Sequence, residues 1–338
     1  MTTRQQWRLA SRPTGAPTPD NFAWHEEALP ALADGEVLVQ NHFLSLDPYM
    51  RGRMNAGKNY AAPQALNEVM IGGTVGQVLQ SRHPDFSPGQ AVVGMGGWQS
   101  HSVFADPAAG MWRKVSGKVP LTAYLGAVGM PGVTAWLGVN RILQPQAGQT
   151  LVVSAASGAV GSVVGQLAKA KGARVVGMAG GAEKCAYVCN ELGFDACLDH
   201  QQLSDLARMQ RALAEVAPQG VDCIFENVGG VGFDAALGAT NAFGRVAVCG
   251  LIAGYNGEAI PLTNTRAILV NRLQVQGFIV TEHPDAWPPA LAELETLVAS
   301  GALRFRQTVA QGLARAPEAF VGLLQGRNLG KQLVQLVP

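Results

Sequence analysis

A short apolar run that dissolves into small residues and then resumes as a helical pattern constrains this chain most. It reads Leu151-Val-Val-Ser-Ala-Ala-Ser-Gly-Ala-Val-Gly-Ser162. Residues 151–153 have the character of a buried strand, and 162–171 repeat apolar residues at helical spacing. Strand, glycine turn, helix is the context in which a glycine-rich motif signals dinucleotide binding. Gly158 lets the backbone approach a pyrophosphate, and Gly161 lets the helix pack closely on the strand. The helix N-terminus turns free N–H groups and a positive dipole end toward the phosphates. Ala156 departs from the G-x-G-x-x-G pattern by occupying its first position. The motif alone also fits a tight turn in any α/β domain, so the rest of the chain has to decide.

With 338 residues, the chain is long for one domain and suggests two. The net charge of +1, without basic or acidic blocks, gives no footprint for nucleic acid or an anionic membrane. No apolar run is long enough to span a bilayer. Residues 1–7 carry no apolar signal core, which sets the expectation of a cytoplasmic protein. Five cysteines, an odd number, argue against a disulfide framework. Cys223 and Cys249 read as small buried hydrophobes, and Cys185 and Cys189 as packing residues four apart on a helix.

The first third reads as short strands at 4–9, 22–29, 36–46, 70–80, 90–93 and 99–104, with Pro/Gly-rich spacers. That texture predicts a small barrel-like β domain. Helices are expected at 121–129 and 131–143. From residue 150 strands alternate with helices. The expected strands are 151–153, 174–178, 196–198, 221–225, 245–249 and 273–280, and the expected helices 162–171, 182–192 and 203–217. Alternation of this kind predicts an α/β fold with a doubly wound parallel sheet of the Rossmann type. Ligands of such sheets bind beyond the C-terminal strand ends, here 154–161, 179–184, 226–230 and 250–255. A helix at 289–300, a strand at 306–310, a helix at 316–324 and an alternating stretch at 331–337 return the chain to the β domain.

The cofactor can be narrowed further. NAD-preferring sites place an acid about 20 residues after the glycine motif. Residues 176–182 contain none, and Lys184 stands close by with a charge that can pair a 2′-phosphate. Lys184 also fits a plain solvated residue in a helix's first turn. The missing acid and the lysine together favour NADP.

A catalytic zinc would need cysteine, histidine and carboxylate ligands, yet the β domain has no cysteine. Its histidines, His25, His42, His83 and His101, form no ligand pair. No metal site is therefore expected, and hydride transfer without metal remains. Such a site needs a donor for charge developing on a substrate oxygen. Tyr255, on a turn just past a strand end, is the leading candidate; it also fits a tyrosine that only packs or binds ribose. Tyr49 and Tyr60 are its rivals from the β domain.

Several motifs carry a resemblance along nearly the whole chain. They are Leu46-Asp-Pro-Tyr-Met-Arg-Gly-Arg53, Gly129-Met-Pro-Gly-Val-Thr-Ala135, Ala155-Ala-Ser-Gly-Ala-Val-Gly-Ser162, Glu226-Asn-Val-Gly-Gly230, Cys249-Gly-Leu-Ile-Ala-Gly-Tyr-Asn256 and Gly326-Arg-Asn-Leu-Gly-Lys331. With them the chain resembles the zinc-independent medium-chain dehydrogenases/reductases, in the branch of NADP-dependent alkenal, prostaglandin and curcumin reductases. The resemblance implies a GroES-like catalytic domain (1–123 and 301–338) and an NADP-binding Rossmann domain (124–300). It implies that Gly158, Ala159, Val160 and Gly161 hold the pyrophosphate, and Lys184 with His200 the 2′-phosphate. Asn227, Cys249, Gly250, Leu251, Ile252, Ala253, Gly254, Tyr255, Phe278, Ile279, Val280 and Asn328 would line the cofactor. Met130 and Thr134 would lie near the nicotinamide. Tyr49, Arg51 and Tyr60 would line the substrate pocket. Where several relatives have a tyrosine, this chain has His200, which would make phosphate binding sensitive to pH. The implied reaction adds hydride to the β-carbon of an α,β-unsaturated ketone or aldehyde, with the enolate oxygen stabilised by Tyr255 or a cofactor ribose hydroxyl, in a homodimer paired through the edge strand 273–280. Quinone reduction, or NADPH binding without catalysis, stays open at this level.

Overall fold

The computed structural model describes residues 3–57 and 59–337. The chain forms two compact units, Met1–Gly126 with Gln307–Pro338, and Ala127–Arg306.

The first unit begins with an antiparallel hairpin, β1 (Thr3–Leu9) and β2 (Phe22–Ala28). Then come β3 (Val37–Ser45), a short helix α1 (Tyr49–Arg53), β4 (Thr74–Ser81), β5 (Ala91–Gly94), β6 (His101–Phe104) and β7 (Arg113–Lys114). α1 is not among the expected helices because so short a helix leaves no periodicity to detect. The helix expected at 121–129 is a single 3-10 turn, Leu121–Leu125; Gly126, at ψ −108, leaves the helical region and ends it. In the core, Trp98 stacks on Phe22 at 5.1 Å and meets Phe320 edge-on at 5.5 Å. Leu9, Leu44, Met50 and Val334 close around them. Each such buried side chain contributes about 1.5–3 kcal/mol through apolar area removed from water.

The second unit opens with α2 (Met130–Leu137), which continues as a π turn to Leu143 where one α-helix over 131–143 is expected. Its strands are β8 (Thr150–Val153), β9 (Arg174–Ala179), β10 (Ala196–Asp199), β11 (Val221–Glu226), β12 (Thr240–Val248) and β13 (Gln274–Gly277). Between them lie α3 (Gly161–Ala170), α4 (Ala182–Asn190), α5 (Leu206–Val216), α6 (Gly230–Gly238) and α7 (Arg266–Val270), and after them α8 (Trp287–Ala299). α6 is not expected from sequence because glycines occupy three of its nine positions and weaken the helical signal. The edge strand is half the expected length, since only Gln274–Gly277 pairs with β12.

All neighbours in this sheet are parallel, in the order β10-β9-β8-β11-β12-β13. Every β8 residue is buried, as expected of a strand covered on both faces. Val152, Val176, Ile224 and Val246 lie in one core with Met209 and Leu213 of α5 and Phe233 of α6. The chain runs outward from β8 through β9 to β10, then returns to place β11 on the other side of β8. This reversal is the topological switch point of a Rossmann sheet, and it opens a crevice past the ends of β8 and β11.

The tail completes the first unit. β14 (Gln307–Gln311) pairs parallel with β15 (Lys331–Gln335) across α9 (Ala316–Leu324), and β15 pairs antiparallel with β3. No helix among the described residues is long and apolar enough to cross a membrane.

Candidate active site

The turn after β8 explains its own composition. Ala155 adopts φ +49, and its carbonyl accepts the Gly158 N–H at 2.9 Å. A Cβ at Gly161 would stand 2.4 Å from that oxygen, and one at Gly158 3.1 Å. Gly161 therefore cannot carry a side chain without moving backbone. Ala156 donates its N–H to Met178 O at 2.9 Å, and its methyl is fully buried against β9. A Cβ on Gly177 would lie 2.8 Å from that methyl. The glycine missing from the motif's first position is thus matched by a glycine on the neighbouring strand. α3 begins at Gly161; in its first turn the Ser162 N–H donates to Gly158 O at 3.1 Å and the Val163 N–H to Val160 O at 3.0 Å, and the positive end of the helix dipole faces the turn. Close backbone and a helix N-terminus fit a pyrophosphate.

Past β9 and β10 lies a second cluster. A Cβ at Gly180 would come within 2.9 Å of His200 Nε2, so this loop is glycine because the imidazole lies on it. Lys184 is half-buried in the first turn of α4, and burial lowers its pKa. His200 keeps an exposed side, but packing of its ring lowers its pKa as well; Asp199 opposes this and the Lys184 ammonium adds to it. Two basic side chains therefore share this corner. Asp199, which lies outside the acid-free span 176–182, stands beside them. Its Oδ1 accepts the N–H groups of Gly181 at 2.8 Å and Gln201 at 3.0 Å, so it is engaged in shaping the loop.

The third cluster follows β11 and β12. Glu226 is 1% exposed, and its Oε1 accepts from Ser154 Oγ at 2.8 Å and from the N–H groups of Val228 and Gly229, each at 2.6 Å. Asn227 donates its N–H to Ser154 Oγ and its Nδ2 to Ser154 O, both at 2.8 Å. The 249–255 loop hangs on the same strand end. Cys249 N–H reaches Glu226 O at 2.8 Å, Ile252 N–H reaches Asn227 O at 3.2 Å, and Ala253 N–H reaches Val228 O at 2.9 Å. Tyr255 folds back so that its hydroxyl lies 3.1 Å from where a Gly250 Cβ would be. Leu251, Ile252, Gly254 and Tyr255 are half-buried, and Ala253 is exposed. Phe278 and Val280 are buried and Ile279 half-buried, with Phe278 edge-on to Phe225 at 6.1 Å. In α2, Thr134 is buried and donates Oγ1 to Met130 O at 2.7 Å.

Because the strands are parallel, the loops holding Gly158–Gly161, Lys184, His200, Asn227, Cys249–Tyr255 and Phe278–Val280 lie at one edge of the second unit's sheet. Glu226 is a functional candidate to which the sequence assigns no role of its own, although it opens the motif and ligand segment 226–230. An acid ending a largely apolar strand reads as a strand end.

The remaining expected residues belong to the first unit. Tyr49 opens α1 half-buried, and burial raises its phenol pKa, with Asp47 adding to the effect. Tyr60 is 51% exposed. Arg51 is 2% exposed, and its guanidinium donates to Gly15 O at 2.6 Å and Asn55 Oδ1 at 2.7 Å, bracing the chain around α1. Asn328 donates Nδ2 to Gly330 O at 2.7 Å within its own turn. Two of the motifs also meet: Lys331 Nζ donates to Asp47 Oδ1 at 2.7 Å and to Leu46 O at 2.6 Å, in a pair almost sealed from water. Among the described residues, no group of three or more histidine, cysteine, aspartate or glutamate side chains could hold a metal ion.

Comparison with known proteins agrees with this architecture. Residues 5–112 match the model of the N-terminal domain of oxidoreductase, and residues 159–296 the model of zinc-binding dehydrogenase. The chain is 42% identical to NADPH-dependent curcumin reductase of Escherichia coli (strain K12), over 98% of this chain and 96% of that protein. It is 40% identical to prostaglandin reductase 1 of Rattus norvegicus, over 99% of this chain and the whole of that one. The crystal structure of CurA in complex with NADPH from Vibrio vulnificus superposes with a TM-score of 0.92 at 43% identity, covering 99% of both chains. The chain belongs to the medium-chain dehydrogenases/reductases, in the zinc-independent branch that contains these reductases.

Proposed function

We propose that this chain is an NADPH-dependent reductase of α,β-unsaturated ketones and aldehydes. The observation that carries the reading is the near-full-length likeness to NADPH-dependent curcumin reductase, together with a switch-point crevice suited to NADPH. NADPH, when bound, supplies the hydride that adds to the substrate's β-carbon. The chain's residues do the rest. The turn at Gly158–Gly161 receives the pyrophosphate, and Lys184 with His200 receives the 2′-phosphate. The 249–255 loop and Phe278–Val280 offer a half-buried surface that keeps water from the reacting carbon. As charge builds on the carbonyl oxygen, the Tyr255 hydroxyl stabilises it and hands on its proton. Met130, Thr134 and Asn328 are read as lining the cofactor, and Tyr49 and Tyr60 as lining the substrate pocket.

In the same reading, residues 127–306 form the nucleotide-binding domain and the β-rich unit the catalytic domain. The working form is a homodimer. β13 is an edge strand with no partner on its outer side among the described residues. Exposed apolar side chains gather on and near it: Phe243 (70% exposed), Leu269 (79%), Val270 and Val275. A patch of this kind suits a second copy of the chain. The five cysteines are free thiols, which suits a reducing cytoplasm. Incubation with NADPH and a simple enone tests the activity. Loss of NADPH together with the saturated ketone supports it, and no saturated product would refute it.

A further inference from the structure

We propose that Glu226 is a positioning residue whose ionised carboxylate clamps the three loops around the cofactor crevice into their binding geometry. This rests on the reading of that crevice as the NADPH site. The warrant is the bonding pattern. One oxygen, Oε1, accepts three hydrogen bonds, from Ser154 at the start of the glycine turn and from Val228 and Gly229 after β11. Ser154 Oγ, oriented by donating to Glu226, accepts from Asn227 N–H. Asn227 O and Val228 O then accept the N–H groups of Ile252 and Ala253, which fix the loop that carries Tyr255. A single side chain thus ties the end of β8, the end of β11 and the 249–255 loop together.

Three donors on one oxygen call for a strong acceptor, and a carboxylate is stronger than an amide or a carboxylic acid. Burial works against ionisation and wins in part, leaving the pKa pushed up to about 7 despite the three donors. The Cys249 thiol faces Glu226 from the end of β12; burial and Glu226 push it up to about 12, so it stays neutral. The other groups facing the carboxylate are the Ser154 hydroxyl and backbone N–H groups. Protonation of Glu226 weakens the clamp, and NADPH affinity falls with it.

The folded pKa lies above the ordinary 4.5, so ionised Glu226 destabilises the cofactor-free fold as pH rises through about 7. A residue kept only for stability would not be built this way. The test is NADPH binding, followed by fluorescence from pH 6.5 to 8.5, in a His200→Asn background that removes the imidazole. With Glu226 present, Kd should rise about fourfold as pH falls across that range, beyond any change common to both variants. With Glu226→Gln it should lack that increment and lie about tenfold weaker at pH 8.5. The melting temperature of the cofactor-free Glu226→Gln chain at pH 8.5 should be unchanged or higher. Ser154→Ala, a second route to the same clamp, should weaken binding at pH 8.5. Parallel pH profiles, or Glu226→Gln binding as tightly as its parent, would overturn the proposal while leaving the NADPH reading intact. A fall in melting temperature that accounts for the lost affinity would reduce Glu226 to a structural role and also overturn it. Failure of the unmutated chain to bind NADPH would overturn both.

Discussion

Replacing Lys184 by alanine separates the two halves of cofactor recognition. Lys184 and His200 share the corner past β9 and β10, and each pKa is lowered by burial. A charge-assisted hydrogen bond contributes about 1.5–3 kcal/mol. Lys184 is half-buried, so solvent screening favours the lower part of that range. A loss of about 1.5–2 kcal/mol corresponds to a 10- to 30-fold rise in the Kd for NADPH. NADH has no 2′-phosphate and should change by less than about threefold. pH adds a second signature. The Lys184 ammonium helps hold the His200 pKa down, so its removal lets the imidazole protonate more readily. A protonated His200 then replaces part of the missing charge. The NADPH penalty should therefore shrink as pH falls from 8 toward 6, against the unmutated chain at each pH. Binding titrations with both dinucleotides at several pH values measure this. Equal losses for NADPH and NADH would refute the phosphate role, and a penalty that grows toward low pH would refute the coupling to His200.

Three further outcomes follow from the same geometry. Tyr255→Phe removes the hydroxyl beside Gly250 and should lower kcat on the order of a hundredfold, with little change in the Kd for NADPH; unchanged turnover would take Tyr255 out of the chemistry. Lys331→Met leaves Asp47 buried without its cation, which should cost about 3–5 kcal/mol and lower the melting temperature of the first unit by roughly 10 °C in calorimetry; an unchanged melting profile would show that the pair does not stabilise it. Leu269→Asp puts a charge on the exposed patch beside β13 and should convert a dimer to monomers in light scattering; an unmutated chain that is already monomeric would refute the homodimer.

Much of the fold is legible because burial on both faces writes itself into sequence. Leu151–Val153 of β8 and Cys223–Phe225 of β11 are unbroken apolar runs, and the alternation of such strands with helices forces a parallel sheet. Features without periodicity are lost: α1 is too short, α6 is masked by its glycines, and the 3-10 turn at Leu121–Leu125 carries a helix-like composition. The glycine turn is legible as a motif, but the tolerance of Ala156 is not, since it depends on Gly177 one strand away. Arg51 is recognisable by its motif, whereas its bonds to Gly15 and Asn55 are not legible in the sequence. Glu226, Asp47 and Lys331 stand in recognisable motifs, but their bonds to Ser154 and to each other form only when distant segments meet.

Reduction of a carbon–carbon double bond by NADPH can be followed atom by atom. NADPH labelled with deuterium at the transferable position is supplied with an α,β-unsaturated ketone, and the product is identified by mass spectrometry and NMR. The expected product is the saturated ketone with one deuterium at the β-carbon. Turnover of quinones with no alkene reduced, or tight NADPH binding with no turnover of either substrate class, would contradict it.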